Sequence, residues 1–245
     1  LAMTTDTRIQ RLLRVPAGVS ALTSVRGVFA VDLRDSAFTP TDGFYASAAL
    51  EWAHTLVTER EQDYSHFFKL TLTVNGYVRL AEGWVLALQA RGGRVFHLEP
   101  TSRVYPNRAY FMGGVDSLRG FLQDQVIPED QVRAIEDARR AGAPLPATAI
   151  TRTGELFYLG RVELRFPIAG DLQGGVFADF GNVWAFADAV VPEDLLRIRV
   201  SAGAGLRLST PVGPIAADYG VNLTRRDTQD IAEPFGAFHF SIGLF

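Results

Sequence analysis

Strict alternation of apolar and polar residues over long stretches constrains this chain more than any other feature. From Arg199 to Ser209 the even positions are Val200, Ala202, Ala204, Leu206 and Leu208, and the odd ones are Arg199, Ser201, Gly203, Gly205, Arg207 and Ser209. A period of two belongs to a β-strand whose two faces meet different surroundings. Ile215 to Thr224 repeats it, with Ile215, Ala217, Tyr219, Val221 and Leu223 opposite Ala216, Asp218, Gly220, Asn222 and Thr224. Residues 67–80 do the same, placing Leu70, Leu72, Val74, Val78 and Leu80 opposite Lys69, Thr71, Thr73, Asn75 and Arg79. Looser alternation marks 25–34, 43–55, 83–96, 155–167, 173–184 and 237–245, for about nine strands of about 9–15 residues each. Such strands are long for a soluble sheet and long enough for tilted membrane strands, which need about 9–11 residues. Turn signals such as Ala81-Glu82-Gly83, Pro167 to Asp171 and Thr210 to Pro214 separate them, in the up-and-down order of a meander.

Composition narrows the choice. An apolar content of 47% excludes intrinsic disorder, and the lack of an apolar run of about 18 residues excludes a helical membrane bundle. A spanning β-barrel fits, because lipid-facing and lumen-facing residues alternate and hold the mean hydropathy near neutral, here +0.08. The chain has no cysteine, so disulfide scaffolds, thiolate zinc sites and cysteine nucleophiles fall away together. Arginine is dispersed and the net charge is −3, so no basic patch points to nucleic acid. Lys69 is the sole lysine, which reads as codon bias. The start Leu1-Ala2-Met3 has no charged segment leading into an apolar one and reads as a cut. Residues 1–24 are expected to be an extension or partial strand, in which Arg8 to Val15 and Val19 to Thr23 offer a tenth strand, and residues 25–245 the sheet.

One connection, 97–154, is far longer than a hairpin needs, and loops of that length are usually functional or disordered. Pro128-Glu129-Asp130 followed by Gln131 to Ala141 predicts a short helix, with acids at its start, Arg139-Arg140 at its end and Gly142 as its stop. The glycine-rich run Met112 to Phe121 precedes it. The catalytic inventory is thin. His54, His66, His97 and His239 show no ligand spacing and read as isolated residues, and no GxSxG elbow surrounds Ser117. No catalytic, metal or cofactor site is expected. Glycines within strands, as at Gly203 and Gly205, suggest something packed against an inner wall. Glu163, between Arg161 and Arg165, and Asp179, between Ala178 and Phe180, lie on the polar face. They read either as a solvated strand face or as an ion-pair network pinning a loop, since a partly desolvated arginine needs carboxylate partners.

These residues carry a resemblance. Phe111-Met112-Gly113-Gly114-Val115-Asp116-Ser117-Leu118-Arg119-Gly120-Phe121 closely resembles the loop-six motif GG-x-x-S-[LV]-RG-[FY] of the BamA/TamA-type outer-membrane assembly barrels, the bacterial surface antigen superfamily. Val162 to Pro167, Val176 to Trp184, Ser201 to Arg207 with Thr210 to Pro214, and Phe238 to Phe245 resemble the same family in the same order. Asp35 to Gly43 is similar to its D-x-x-x-x-P-x-x-G hairpin.

The resemblance implies an all-β, antiparallel transmembrane β-barrel, about nine strands of a sixteen-stranded meander, whose long loop folds inward and carries a short helix. The nine would be strands eight to sixteen, leaving the first seven strands and the periplasmic POTRA domains outside these residues. An open sheet cannot sit in a bilayer, because its edge amides would be unsatisfied. Completion by the rest of a longer chain, by another copy or subunit, or by a tenth strand from residues 1–24 would close it. Arg119 would pair with Glu163 and Asp179, Gly113, Gly114 and Gly120 would let the loop double back, Ser117 and Leu118 would complete the motif, and Phe121 would close it. Loss of Arg119 would then leave those two carboxylates unneutralised. The last strand, with Phe238, Phe240, Ile242, Gly243 and Phe245, resembles the outer-membrane β-signal, although Phe245 falls on the opposite phase from Phe238. It would form one side of a seam that pairs with client strands. The implied function is non-enzymatic assembly, insertion or translocation of outer-membrane proteins, in the outer membrane of a bacterial cell. The implied partners are the lipid bilayer with its lipopolysaccharide, unfolded outer-membrane clients, POTRA domains and accessory lipoproteins. A two-partner-secretion transporter or a small autonomous pore are the alternatives.

Overall fold

A computed structural model describes residues 19–59, 64–144, 151–208, 210, 214–227 and 231–242. Nine antiparallel strands form one sheet in sequence order: β1 (Ser20–Asp32), β2 (Gly43–Thr58), β3 (His66–Ala81), β4 (Trp84–His97), β5 (Leu156–Ala169), β6 (Leu172–Trp184), β7 (Arg199–Leu208), β8 (Ile215–Asn222) and β9 (Gly236–Ile242). Each strand pairs with the next, so β1 and β9 are the two edges of the described sheet. The alternation locates every strand, and bounds shift by a few residues. The largest shift is at β1, which starts at Ser20 instead of 25, so Val19 to Thr23 lead into the first strand and do not form a separate one. Arg8 to Val15, Ser209 and the last residues Gly243, Leu244 and Phe245 lie outside the described residues.

Register fixes which face is which. Opposite residues on neighbouring strands share a face, so Arg26, Glu51, Lys69, Ala87, Glu163, Asp179, Ser201 and Asp218 point to one side. That side is covered by the 98–155 connection. The other face carries Phe29, Leu72, Val74, Val176, Phe238 and Phe240, all exposed, as a lipid-facing band requires. Connections 98–155, 185–198 and 223–235 gather at one rim, and the turns 82–83 and 170–171 at the other. Aromatic residues mark both ends of the band. Trp84 and Phe166 lie 5.5 Å apart at the tight-turn rim, and Trp52, His54 and His66 cluster at the long-loop rim.

The histidines are thus not isolated. His54 and His66 face each other across β2 and β3 with ring centroids 4.6 Å apart, His66 Nδ1 lies 2.9 Å from Glu99, and His97 Nε2 lies 3.0 Å from Glu155. Strand register brings together residues twelve positions apart in a way that sequence spacing does not show.

The core of this half-shell is the loop itself. Met112, Leu118, Phe121 and Val126 pack with Ala53, Phe67, Val95, Phe157 and Leu159 of the inner wall. Burial of side chains of this size contributes about 1.5–3 kcal/mol each. The helix α1 (Glu129–Arg140) forms as its sequence predicts, with Pro128 at its N-cap and Gly142 ending it at φ +64°.

At the tight-turn rim, Asp35 organises the 33–42 hairpin. Its carboxylate accepts the Thr41 hydroxyl at 2.5 Å, the Thr41 amide at 2.8 Å and the Asp42 amide at 3.1 Å. These donors, led by the Thr41 hydroxyl, hold its pKa down at about 2, from an ordinary 3.8. A depressed carboxylate contributes its stability above the ordinary value and loses it as pH falls toward the depressed one. Protection of the hairpin amides, relative to their intrinsic exchange rates, is therefore expected to fall as pH drops from 4 to 2, and to be low at every pH in Asp35→Ala. Identical exchange in the two proteins at neutral pH would refute the role of Asp35.

Candidate functional site

The site is the tip of the inward loop against β5 to β9. Gly113 and Gly114 adopt φ +109° and +103°, a backbone that side chains resist, and let the chain reverse. Ser117 fixes the reversal: its hydroxyl accepts the Gly113 amide at 2.8 Å. The Gly114 amide donates to the carbonyls of Leu118 and Phe121 at 3.2 and 3.1 Å. Leu118 and Phe121 are fully buried in the core described above, which leaves Arg119 projecting to the opposite side. Gly120 meets Gly220 of β8 backbone to backbone. A Cβ on Gly220 would sit 2.3 Å from the Arg119 carbonyl, and one on Gly120 2.6 Å from Ser201.

Arg119 is completely buried. Its Nε and Nη2 form a fork on Asp179 at 3.0 and 2.7 Å, its backbone amide donates to the same carboxylate at 3.0 Å, and Nη1 donates to Glu163 at 2.6 Å. Its guanidinium also stacks over Phe177, 3.4 Å from the ring centroid. Glu163 and Asp179 are therefore brought together by one arginine, as their places in the sequence suggest.

Two further partners were not singled out from the sequence. Asp218 of β8 lies 3.3 Å from Arg119 Nη1, and Arg207 of β7 bridges Glu163 at 2.9 Å and Asp218. Both are on the polar phase of their strands, which is the signal the sequence carries for them. Arg165 pairs with Glu163 at 2.9 Å and Arg161 with Asp179 at 3.4 Å. The carboxylates are thus neutralised several times over. Loss of Arg119 leaves them partnered, and what is lost is the tether, contrary to the sequence expectation.

The strand at the sheet edge also reaches the tip. His239 Nε2–H of β9 donates to the Arg119 carbonyl at 3.0 Å, while Phe238, Phe240 and Ile242 point to the lipid side. A second tether holds the base of the loop. Arg108 pairs with Glu51 at 2.6 Å, Lys69 donates to the Arg108 carbonyl at 2.5 Å and lies 4.3 Å from the Tyr110 ring centroid, and Tyr110 donates to the Leu70 carbonyl at 2.7 Å.

A buried cluster at the rim was also missed. Glu129, read from the sequence only as a helix-start acid, accepts from Arg226 at 2.8 and 2.9 Å and from Asn182 at 3.1 Å. Burial pushes its carboxyl up, and Arg226 with Asn182 more than offsets this and holds it below its ordinary value. Glu233 pairs with Arg199 at 2.7 Å beside it. No group of three His, Asp or Glu residues with metal-binding geometry occurs among the described residues. The arrangement positions a loop.

Removing one member of a buried ion network costs about 3–5 kcal/mol. Because Arg161, Arg165 and Arg207 still cover the carboxylates, Arg119→Ala is expected at the low end of that range. The folded barrel should persist while the loop becomes cleavable by protease within 98–155. Gly220→Ala should release the same loop without touching any charge. Unchanged protease protection in both variants would show that the tip is held by something other than this contact.

With this geometry in view, comparison with known proteins is informative. The Omp85 superfamily domain matches residues 13–245. Outer envelope protein 80, chloroplastic, of Arabidopsis thaliana is 26% identical over 145 residues, covering 57% of this chain and 15% of that protein. Outer membrane protein assembly factor BamA of Nitratidesulfovibrio vulgaris is 24% identical over 227 residues, covering 93% of this chain and 26% of that protein. The chain thus spans about a quarter or less of the length of these relatives. The crystal structure of BamA from Haemophilus ducreyi lacking POTRA domains 1-3 shares the fold with a TM-score of 0.65 at 20% identity, over 90% of this chain and 42% of that one. With the family domain matched from residue 13 to the last residue, this chain belongs to the Omp85 superfamily, and its nine strands are part of an outer-membrane β-barrel.

Proposed function

We propose that this chain forms the C-terminal strands, eight to sixteen, of a BamA/TamA-type barrel that inserts or translocates other outer-membrane proteins without covalent chemistry. The observation that carries this reading is the placement of the loop tip. Arg119 is fixed on β5, β6 and β8 and in contact with β9, the strand whose outer edge has no partner among the described residues. A passive pore would leave that tether unexplained. In the closed barrel β9 would lie at the seam, and a seam strand with alternating lipid-facing aromatics is a template onto which another strand can add, main chain to main chain. Unfolded outer-membrane strands are the clients that fit it, with POTRA domains and lipoproteins delivering them from the periplasm and the lipopolysaccharide-bearing bilayer receiving them.

The test is a disulfide trap in the full-length protein. Cysteines placed singly at Phe238, His239, Phe240 and Ser241 are expected to crosslink a client's C-terminal strand peptide in an alternating register. Absence of any crosslink, under conditions where a known assembly barrel crosslinks the same peptide, would sink the proposal. A stable open conductance without crosslinking would favour a pore.

A further inference from the structure

The segment 185–198 between β6 and β7 does not behave as a water-facing connection. Phe186, Val191, Leu195, Leu196 and Ile198 are exposed, Leu196 at 79%. Three of its four charged residues pair with other parts of the protein, and Glu193 alone of the four is exposed without such a pair among the described residues. Asp188 pairs with Arg94 at 2.9 Å, Asp194 with Arg133 of α1, and Arg197 with Glu129 at 3.5 Å. A loop designed for solvent would do the reverse, because large apolar side chains in water forgo about 1.5–3 kcal/mol each.

Register shows where this segment lies. Arg94 is opposite Leu156, and Tyr158 shares its face with Gly160 and Val162, whereas Arg161 and Glu163 face the lumen. Arg94 and Tyr158 are therefore on the outside of the sheet. The Tyr158 hydroxyl donates to the Leu195 carbonyl at 2.7 Å, which holds the segment against that outer face. Two residues along β5, Gly160 is covered by the ring of Phe180, an exposed member of the lipid-facing band. At about 3.3 Å per residue, the Leu195 backbone lies about 7 Å from that band along the strand. Tyr158 and Trp184, with ring centroids 5.6 Å apart, are the aromatic pair between the two. Trp184 is buried and Tyr158 half-buried, so Tyr158 is the ring of the two with surface to offer a headgroup boundary.

From this continuity we propose that 185–198 is a lipid anchor: Leu195 and Leu196, with Phe186 and Val191, enter the outer leaflet beside β5 and β6 and fix the depth of the long-loop rim. The partner is the acyl region of the bilayer. The Asp194–Arg133 and Arg197–Glu129 salt bridges turn two of its charges toward α1 and tie the anchor to it, and so to the loop that bears Arg119, while Arg94 neutralises Asp188 at the outer face.

The lack of cysteine in these residues makes the test direct. Leu196→Cys, in the full-length protein folded into phosphatidylcholine vesicles, is labelled with an environment-sensitive fluorophore. Leu72→Cys serves as the lipid-band control and the exposed Glu193→Cys as the aqueous control. Folding is verified by heat-modifiable gel mobility, and Val191→Cys replaces any variant that does not fold. The anchor predicts blue-shifted emission, loss of fluorescence to lipids bearing a nitroxide near the headgroup comparable with that of Leu72→Cys, and iodide quenching well below that of Glu193→Cys. Iodide quenching equal to the Glu193→Cys control would overturn it in favour of a water-exposed loop. Protection from both quenchers, rising with protein-to-lipid ratio, would overturn it in favour of a protein contact.

Discussion

The structure depends on the burial of Arg119. A sheet with lipid against one face must turn its polar residues inward, and once a loop covers those residues their charges lose water as a partner. Glu163, Asp179 and Asp218 would each be costly to bury alone. One guanidinium entering from the loop satisfies parts of all three, and it has the planar fork to do so where a lysine would not. The loop thus depends on the wall for the partners of its buried charge, while Arg161, Arg165 and Arg207 share the neutralisation of the wall's carboxylates.

This explains why the core lies where it does. A half-shell of strands has no second layer of its own to pack against. The loop supplies one, with Leu118 and Phe121 filling the space under β2 to β6 while Arg119 faces the charged wall of β5 to β8. The two faces of the tip match two different regions of the wall, so the loop can dock in one orientation only. The base is held separately by Lys69, Glu51 and Tyr110. The only lysine in the chain is therefore at a tether, over an aromatic ring and on a loop carbonyl, a role its rarity in the sequence gave no reason to expect.

What could be read in advance follows the same physics. Alternation is a local property, so Val200 to Leu208 announced a strand, a face and its phase without any partner. Phase put Glu163 and Asp179 on the polar face, and it was the family resemblance of the motif around Arg119 that implied they are its partners. Asp218, Arg207 and His239 are equally on the polar phase, but their contact with Arg119 or its partners depends on how far each strand slides past the next, and that register is not written in any one strand. Glu129 is a stronger case. Its partners Asn182 and Arg226 come from β6 and from the 223–235 connection, and a helix-start acid is already explained by the helix, so nothing in the sequence marked it as the centre of a cluster. The pairing of His54 with His66 was hidden for the same reason.

The tether and the edge strand are one mechanical unit. β9 pairs with β8 through the register Asp218 to His239, and these two residues are the ones whose side chains reach Arg119. A displacement of β9 from β8 would remove the His239 contact to the Arg119 carbonyl while leaving the fork to Asp179 intact, because that fork belongs to β6. The loop tip would stay docked on the barrel wall and lose only its hold on the edge. The loop's contacts are thus divided, with the charge-assisted ones on β5 and β6 and, among the described residues, the His239 hydrogen bond on β9, so the tip's hold on the edge strand is the part of its docking that is cheapest to release.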